Sequence, residues 1–587
     1  MDIYSILTLL GGFAFFMFGM NLMSGSLEKM WGGKLESLLK KTRSNKTRGI
    51  LLGGALTVAL QSSSAVTVML VGLVNSGVMN IGQSSTIVMG SNIGTTVTAW
   101  ILALSGTQSD LPFLRIFRPE LFYALPSIVG MIITMITKSD RKKTVGSALI
   151  GFSIIMTGMN MMTVSLNPLS QSQTFLKIIG ILNNPFIAVL AGTLVTALVR
   201  SSAASFAGLQ CLAANGMISF GMAIPTIMGQ NIGTCIRALI SSRDANKNAK
   251  RVSLIHLLFN MIGTAVFLTV YCAANHFMTS SFENMPITLF QIALAHTIFN
   301  VLTAIILFPF SKQLERLSGI ILKDKTDEKE DENKYSFIDI RLLSTPSVAI
   351  RESNSKCKQM AKITRDMIFS SFELISKYDE STAKEIAKTE DIIDMYEDKL
   401  GSFLVKLATK EVSEADSQSV SRQLHSIVDL ERIGDHAMNI LGLAQELHTK
   451  KLHFSNSAQE ETNVLFSALT EIINSTVDAY VSNNVALAKH IEPLEEAIDR
   501  LINDIKEQHM ARLKSGECQI EPGFIMSDLL TNCERVSDHC SNIAIAIIET
   551  PQLSLDAHEY IIELKKNSNS DFRQDFEMFK KKYSISE

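Results

Sequence analysis

The first half of the chain is short of acid. Up to residue 310 it holds 8 Asp or Glu against 20 Lys or Arg, whereas the rest holds 49 against 34, so a net charge of −3 conceals about +12 followed by −15. No carboxylate falls inside any of the long apolar segments of the first half. The 7 cysteines form no CxxC pair and no zinc-ribbon spacing, which argues against a disulfide or ribbon scaffold. The first 23 residues lack a basic stretch before the apolar run and a small-residue cleavage site after it, so they read as a retained first helix. No nucleophile and base stand at a recognisable catalytic spacing, and the chain is expected not to be an enzyme.

Apolar residues are abundant, with 27 Met and 30 Phe. Segments near the ~20 residues needed to cross hydrocarbon fall at 3–23, 81–104, 121–137, 144–163, 217–240, 254–275 and 287–310. Two more, 49–75 and 185–214, contain a polar break. The break belongs to a passage, 53–96, that recurs at 192–235 with a constant offset of 139 residues: QSSS becomes RSSA, and GSNIGTT becomes GQNIGTC. Lone serine pairs in membrane helices usually serve close helix packing. Repetition in fixed register favours a binding role instead.

Loop charges select between two threadings. If both broken segments enter and leave by the same face, the basic loops around Lys29–Arg48, Lys138–Lys143 and Arg243–Arg251 share one side, leaving only Arg115, Arg118 and Lys177 on the other. That satisfies the positive-inside bias and makes the two copies inverted repeats, whose polar breaks form the binding site in many secondary transporters. An unwound polar tip is tolerable in hydrocarbon only where protein or a water-filled cavity surrounds it. Two facing tips offer hydroxyls, free amides and the positive ends of half-helices to an oxyanion and a small cation. Arg200 stands where the first copy has Gln61, and an intramembrane charge points to function.

Residues 311–349, with the run DKTDEKEDENK, read as a charged linker. From 350 to 587 the period is helical, predicting a soluble helical domain and an all-α fold throughout. That second half has its own repeat. Glu431-Arg432-Ile433-Gly434-Asp435-His436 with Asn439 returns 103 residues later as Glu534-Arg535-Val536-Ser537-Asp538-His539 with Asn542. Each is preceded by an ExxxD pair, Glu390 with Asp394 and Glu495 with Asp499, which shares one helix face. Two such sets with histidine read as metal sites with O and N ligands.

The paired QSSS/RSSA and NIGT motifs of residues 1–310 resemble those of the type II sodium-dependent inorganic phosphate cotransporters, bacterial branch. The resemblance implies phosphate moved with sodium by alternating access in a multi-pass cell-membrane protein, with Gln61, Ser62, Ser63, Ser64, Asn92, Thr95, Thr96, Arg200, Ser201, Ser202, Asn231 and Thr234 near substrate and ions. Arg200 and Ala203 depart from the family's second QSSS. The motifs of 350–555 resemble the PhoU family, whose pair of three-helix bundles binds metal. This implies a cytoplasmic regulatory domain in which Glu390, Asp394, Glu431, Asp435, His436, Glu495, Asp499, Glu534, Asp538 and His539 hold a divalent or iron-type metal. The expected partners are phosphate, sodium, lipid and a second copy of the chain, with no nucleic acid. A phosphate exporter of the same fold, a non-transporting phosphate sensor and, least supported, a metal phosphoesterase are the competing readings.

Overall fold

The computed structural model describes residues 3–41, 46–104, 119–277, 281–323, 337–410, 412–549 and 570–585. It divides into two compact units, Met1–Val348 and Ala349–Glu587. The fold is all-α; among the described residues the one β feature is an isolated bridge between Ser219 and Pro286. Arg43, Arg115, Arg118 and the acidic run 324–334 lie outside the described residues.

In unit 1 the helices are α1 (Ile3–Lys41), α2 (Lys46–Leu60), α3 (Ser63–Asn75), α4 (Ile81–Ala103), α5 (Pro119–Ile136), α6 (Asp140–Leu166), α7 (Gln173–Ile179), α8 (Pro185–Val199), α9 (Ser202–Ala214), α10 (Phe220–Ser241), α11 (Lys247–Phe277), α12 (Leu289–Leu307) and α13 (Ser311–Ile321). Among the described residues five helices are long and apolar enough to cross a membrane, α1, α4, α6, α11 and α12. The segments at 121–137 and 217–240 form α5 and α10 but fall outside that set.

The broken segments are hairpins. The first bends by 120° between α2 and α3. Glycine contacts show why both must turn back. A Cβ at Gly53 would lie 1.9 Å from the Ile87 carbonyl oxygen, and one at Gly94 would lie 2.6 Å from that of Gly54, so α2 and α4 run parallel at backbone contact. At the equivalent positions a Cβ at Gly192 would meet the Thr226 oxygen at 2.2 Å and one at Gly233 the Thr193 oxygen at 2.5 Å, so α8 and α10 are parallel as well. With only short turns after α3 and α9, each of those helices carries the chain back between two parallel neighbours. Small residues at such crossings let backbones approach. Alanine at Gly90 or Gly229, where the added Cβ would stand 1.9 and 2.0 Å from the Ile50 and Val189 oxygens, is expected to destabilise unit 1 by ~1–3 kcal/mol. An unchanged melting temperature in detergent would contradict this packing.

The two repeats are inverted. Gly12 packs against Gly158 and Gly19 against Gly151, so α1 and α6 are antiparallel. Under the 139-residue offset Gly12 corresponds to Gly151 and Gly19 to Gly158. Each contact therefore maps onto the other with its partners exchanged, which is the signature of a two-fold axis crossing the helices. One end of unit 1 gathers what the charge pattern places on one side: Lys46 donates to Ser311 at 2.8 Å, Ser85 to Glu315 at 3.1 Å, and Arg251 to the Leu322 carbonyl at 2.7 Å. The first part of the expected linker is thus structured. α13 lies on this end with Leu314 buried, because its apolar residues share one helical face despite the flanking charge.

In unit 2, α14 (Pro346–Ser376), α15 (Glu380–Ala408) and α16 (Glu414–Lys450) form one three-helix bundle, and α17 (Asn456–Ser482), α19 (Ile491–Ser515) and α20 (Ile520–Glu549) the other, with short α18 (Val485–Ala488) and a last helix, α21 (Ser570–Lys582). Ser353 donates to Gln423 at 2.6 Å inside the first bundle, and a largely buried Arg512–Glu461 pair at 2.5 Å ties α17 to α19 in the second.

Candidate functional site

At each tip the helix stops because one residue turns left-handed. Gln61 has φ 49° and Arg200 φ 57°, at equivalent positions. The next residue, Ser62 or Ser201, caps the returning helix, its hydroxyl accepting from the Ala65 or Ala204 amide at 3.2 Å. These caps satisfy one amide per helix, leaving the other first-turn donors of α3 and α9 available.

A small pocket of about 10 Å³, room for a single water in this state, is lined by Thr57, Gln61, Ser63, Thr95, Thr98, Ala99, Ser202, Ala203 and Phe206, so both tips meet there. Ser63 and Ser202 are the first residues of α3 and α9, which aims two positive helix ends at one space. The hydroxyls of Thr57 and Ser63 are buried without a hydrogen-bond partner. Gln61 is held by donating to the Val58 carbonyl at 2.7 Å and accepting from Thr98 at 3.0 Å. The lining is uncharged, so hydroxyls, amides and helix ends must do all the recognition.

The remaining sequence-predicted residues are placed around it. Ser64 donates to the Thr234 carbonyl, and the Thr95, Thr96 and Thr234 hydroxyls bond back to their own helices. Arg200, in the αL turn that ends α8, is exposed and does not line the pocket. Asn92 and Asn231 are buried behind the pocket, where His256 Nε2 meets the Asn92 oxygen at 3.2 Å and His296 Nε2 meets the Asn231 oxygen at 3.2 Å. These histidines escaped the sequence reading, although a signal was present: His-x-x-Phe-Asn occurs at 256–260 and again at 296–300. Thr57, Thr98 and Phe206 were also missed, since a lone threonine or phenylalanine in an apolar helix carries no pattern.

Unit 2 presents two acidic clusters. Glu390, Asp394 and Asp435 bring one carboxylate oxygen each within 4.8 Å of one another, and Glu495, Asp499 and Asp538 do the same. Burial, reinforced by neighbouring carboxylates, holds Glu390 and Asp394 above the ordinary carboxyl range. Burial also raises Asp538, with Arg535 opposing. Such mutual repulsion fits a cation site, and an all-oxygen donor set suits a hard divalent ion. The other residues expected as ligands stand elsewhere. His436 bonds Asn532 at 2.9 Å and His539 bonds Asp429 at 2.9 Å, each across to the other bundle, Lys506 pairs with Glu534 at 2.9 Å, and Glu431 lies 3.6 Å from Arg432.

Comparison with known proteins agrees with both halves. The Na+/Pi-cotransporter family model matches residues 15–164 and 156–297, and the PhoU domain model matches 357–444 and 464–547. YjbB of Escherichia coli (strain K12), a protein named for inorganic phosphate export, is 22% identical over 95% of this chain and 100% of its own length. YqeW of Bacillus subtilis, uncharacterized, is 27% identical over 53% of this chain and 96% of its own. The crystal structure of PhoU from Pseudomonas aeruginosa aligns with 35% of this chain and 99% of its own at 20% identity and a TM-score of 0.34. The chain belongs to the Na+/Pi-cotransporter family in its membrane half and carries a PhoU domain behind it.

Proposed function

We propose that the chain moves inorganic phosphate across the cell membrane by alternating access, coupled to sodium, with unit 2 as a cytoplasmic regulator. The carrying observation is the pocket where α3 and α9 converge with their N-termini. It offers positive helix ends and free hydroxyls to an oxyanion, and only oxygen ligands to a small hard cation. The basic loops at one end of unit 1 support a cytoplasmic location for that end and for the domain that follows it. Labelled phosphate flux in proteoliposomes, with the sodium gradient and voltage set separately, is the test. Flux that ignores an imposed sodium gradient refutes coupling, and no flux refutes transport. Export is the second reading, favoured by the name of the full-length relative YjbB. The direction of net flux in cells separates the two.

Regulation has a physical route. The residues of unit 1 that lead into unit 2 are fastened to the first hairpin. Asn75, the last residue of α3, donates to buried Asp339 at 2.6 Å; Arg341 pairs with Asp339 at 2.6 Å and donates to the Ser241 carbonyl at 2.6 Å. Leu342 is fully buried against Gly72 of α3. A Leu342→Ala variant, which removes the contact with α3 without burying a charge, is expected to fold and to lose most of any influence of unit 2 variants on phosphate flux. If a unit 2 variant alters flux equally in both backgrounds, this route is wrong.

A further inference from the structure

The two His-x-x-Phe-Asn helices follow the two-fold relation of the repeats in their main contacts. They depart from it at Asn260, which also donates to Cys235 at 3.3 Å, at the histidine Nδ1 atoms, and in one amide–amide bond. α11 supplies His256 to Asn92 of the first repeat, and α12 supplies His296 to Asn231 of the second, with both Nε2···Oδ1 distances at 3.2 Å. Asn260 and Asn300 each donate to the carbonyl of the histidine one turn earlier, at 3.0 and 2.9 Å. Gly263 packs against Thr303, its own counterpart in the 40-residue offset, as residues near a two-fold axis do. In the second half Asn231 Nδ2 also donates to Asn300 Oδ1 at 2.9 Å. In the first half the corresponding bond is missing. Asn92 Nδ2 and Asn260 Oδ1 are both buried, and neither has a hydrogen-bond partner.

All four residues are asparagine, so side-chain identity does not explain the difference. A buried amide donor and acceptor left unpaired are costly, and native structures rarely leave both ends of a matching pair open. Inverted-repeat transporters change state by letting the two halves exchange conformations. We infer that Asn92–Asn260 and Asn231–Asn300 are alternate latches: the second is closed in the state seen here, and the first closes as the second opens when the carrier exposes its pocket to the opposite side. The histidines stay bonded to their asparagines throughout and act as positioning residues that keep the amides aimed at α11 and α12. This rests on the alternating-access reading, and only on that part of it.

The test reads conformation rather than phosphate. In a background with the native cysteines replaced, Ala99→Cys places a thiol on the pocket wall. Its labelling by a membrane-impermeant maleimide is measured from each side of oriented proteoliposomes. Asn300→Ala removes the closed latch and is expected to shift the ratio of two-sided labelling toward the state not seen here, by about fivefold for one hydrogen bond. Asn260→Ala removes the open one and shifts it the other way, and the double variant returns toward the parent. Equal elution on gel filtration and equal helicity show that each variant is folded. Shifts in the same direction, or none in folded protein, overturn the latch pair. Absence of phosphate flux with these opposite shifts intact would instead overturn the assigned substrate.

Discussion

A chain carrying Ser63→Ala and Ser202→Ala is expected to move phosphate at least about tenfold more slowly than the parent at subsaturating phosphate. Both hydroxyls line the pocket, and that of Ser63 is buried with no partner in the protein. A hydrogen bond to a charged group contributes ~1.5–3 kcal/mol, so each lost hydroxyl costs roughly tenfold or more in affinity. The variant separates binding from folding because the helix caps are the neighbouring serines. Ser62 and Ser201 bond Ala65 and Ala204 and remain in place. The backbone amides of α3 and α9 also remain, so flux should survive at saturating phosphate with a raised half-saturation concentration. Parental phosphate dependence in a folded double variant would remove these tips from the site.

The strongest signal in the sequence was a repeat. The 139-residue register located both tips, the NIG motifs and, through loop charge, the inversion that Gly12, Gly19, Gly151 and Gly158 display in their reciprocal contacts. What the register could not give was side-chain direction. Arg200 seemed the sharpest residue because it was a charge in an apolar run, yet its side chain is exposed at the end of α8. Gln61 makes the same turn and folds inward onto Thr98, so equivalent backbones give the two residues opposite fates. The asparagine network was hidden for another reason. A His-x-x-Phe-Asn pair at an offset of 40 residues does not share the period of the main repeat, and its meaning lies in which helix each histidine reaches. In unit 2 the ExxxD spacing put each carboxylate pair on one helix face, and the fold brings those pairs beside Asp435 and Asp538 of other helices. It could not show that His436 and His539, one residue further round the helix, face the opposite bundle.

Metal content gives the second large effect. Each cluster has three carboxylates within 4.8 Å, so removing one leaves two, too few to hold a hard divalent ion without extra ligands. Asp435→Ala with Asp538→Ala is expected to bring protein-bound metal to background by elemental analysis, whereas Asp538→Ala alone leaves about half of the parental content if the clusters bind independently. Equal metal in the double variant and the parent would refute the assignment. The pH dependence follows from the raised Glu390, Asp394 and Asp538 carboxyls. In that raised range the folded metal-free domain still binds protons that the unfolded chain has released, so its stability falls as pH rises from the ordinary carboxyl range through the raised one. A bound cation replaces those protons and relieves the repulsion. The gain in melting temperature on adding magnesium should therefore be largest near neutral pH and fade as acid protonates the clusters. A gain that is the same at pH 4 and pH 7, or that persists in the double variant, would place the ion elsewhere.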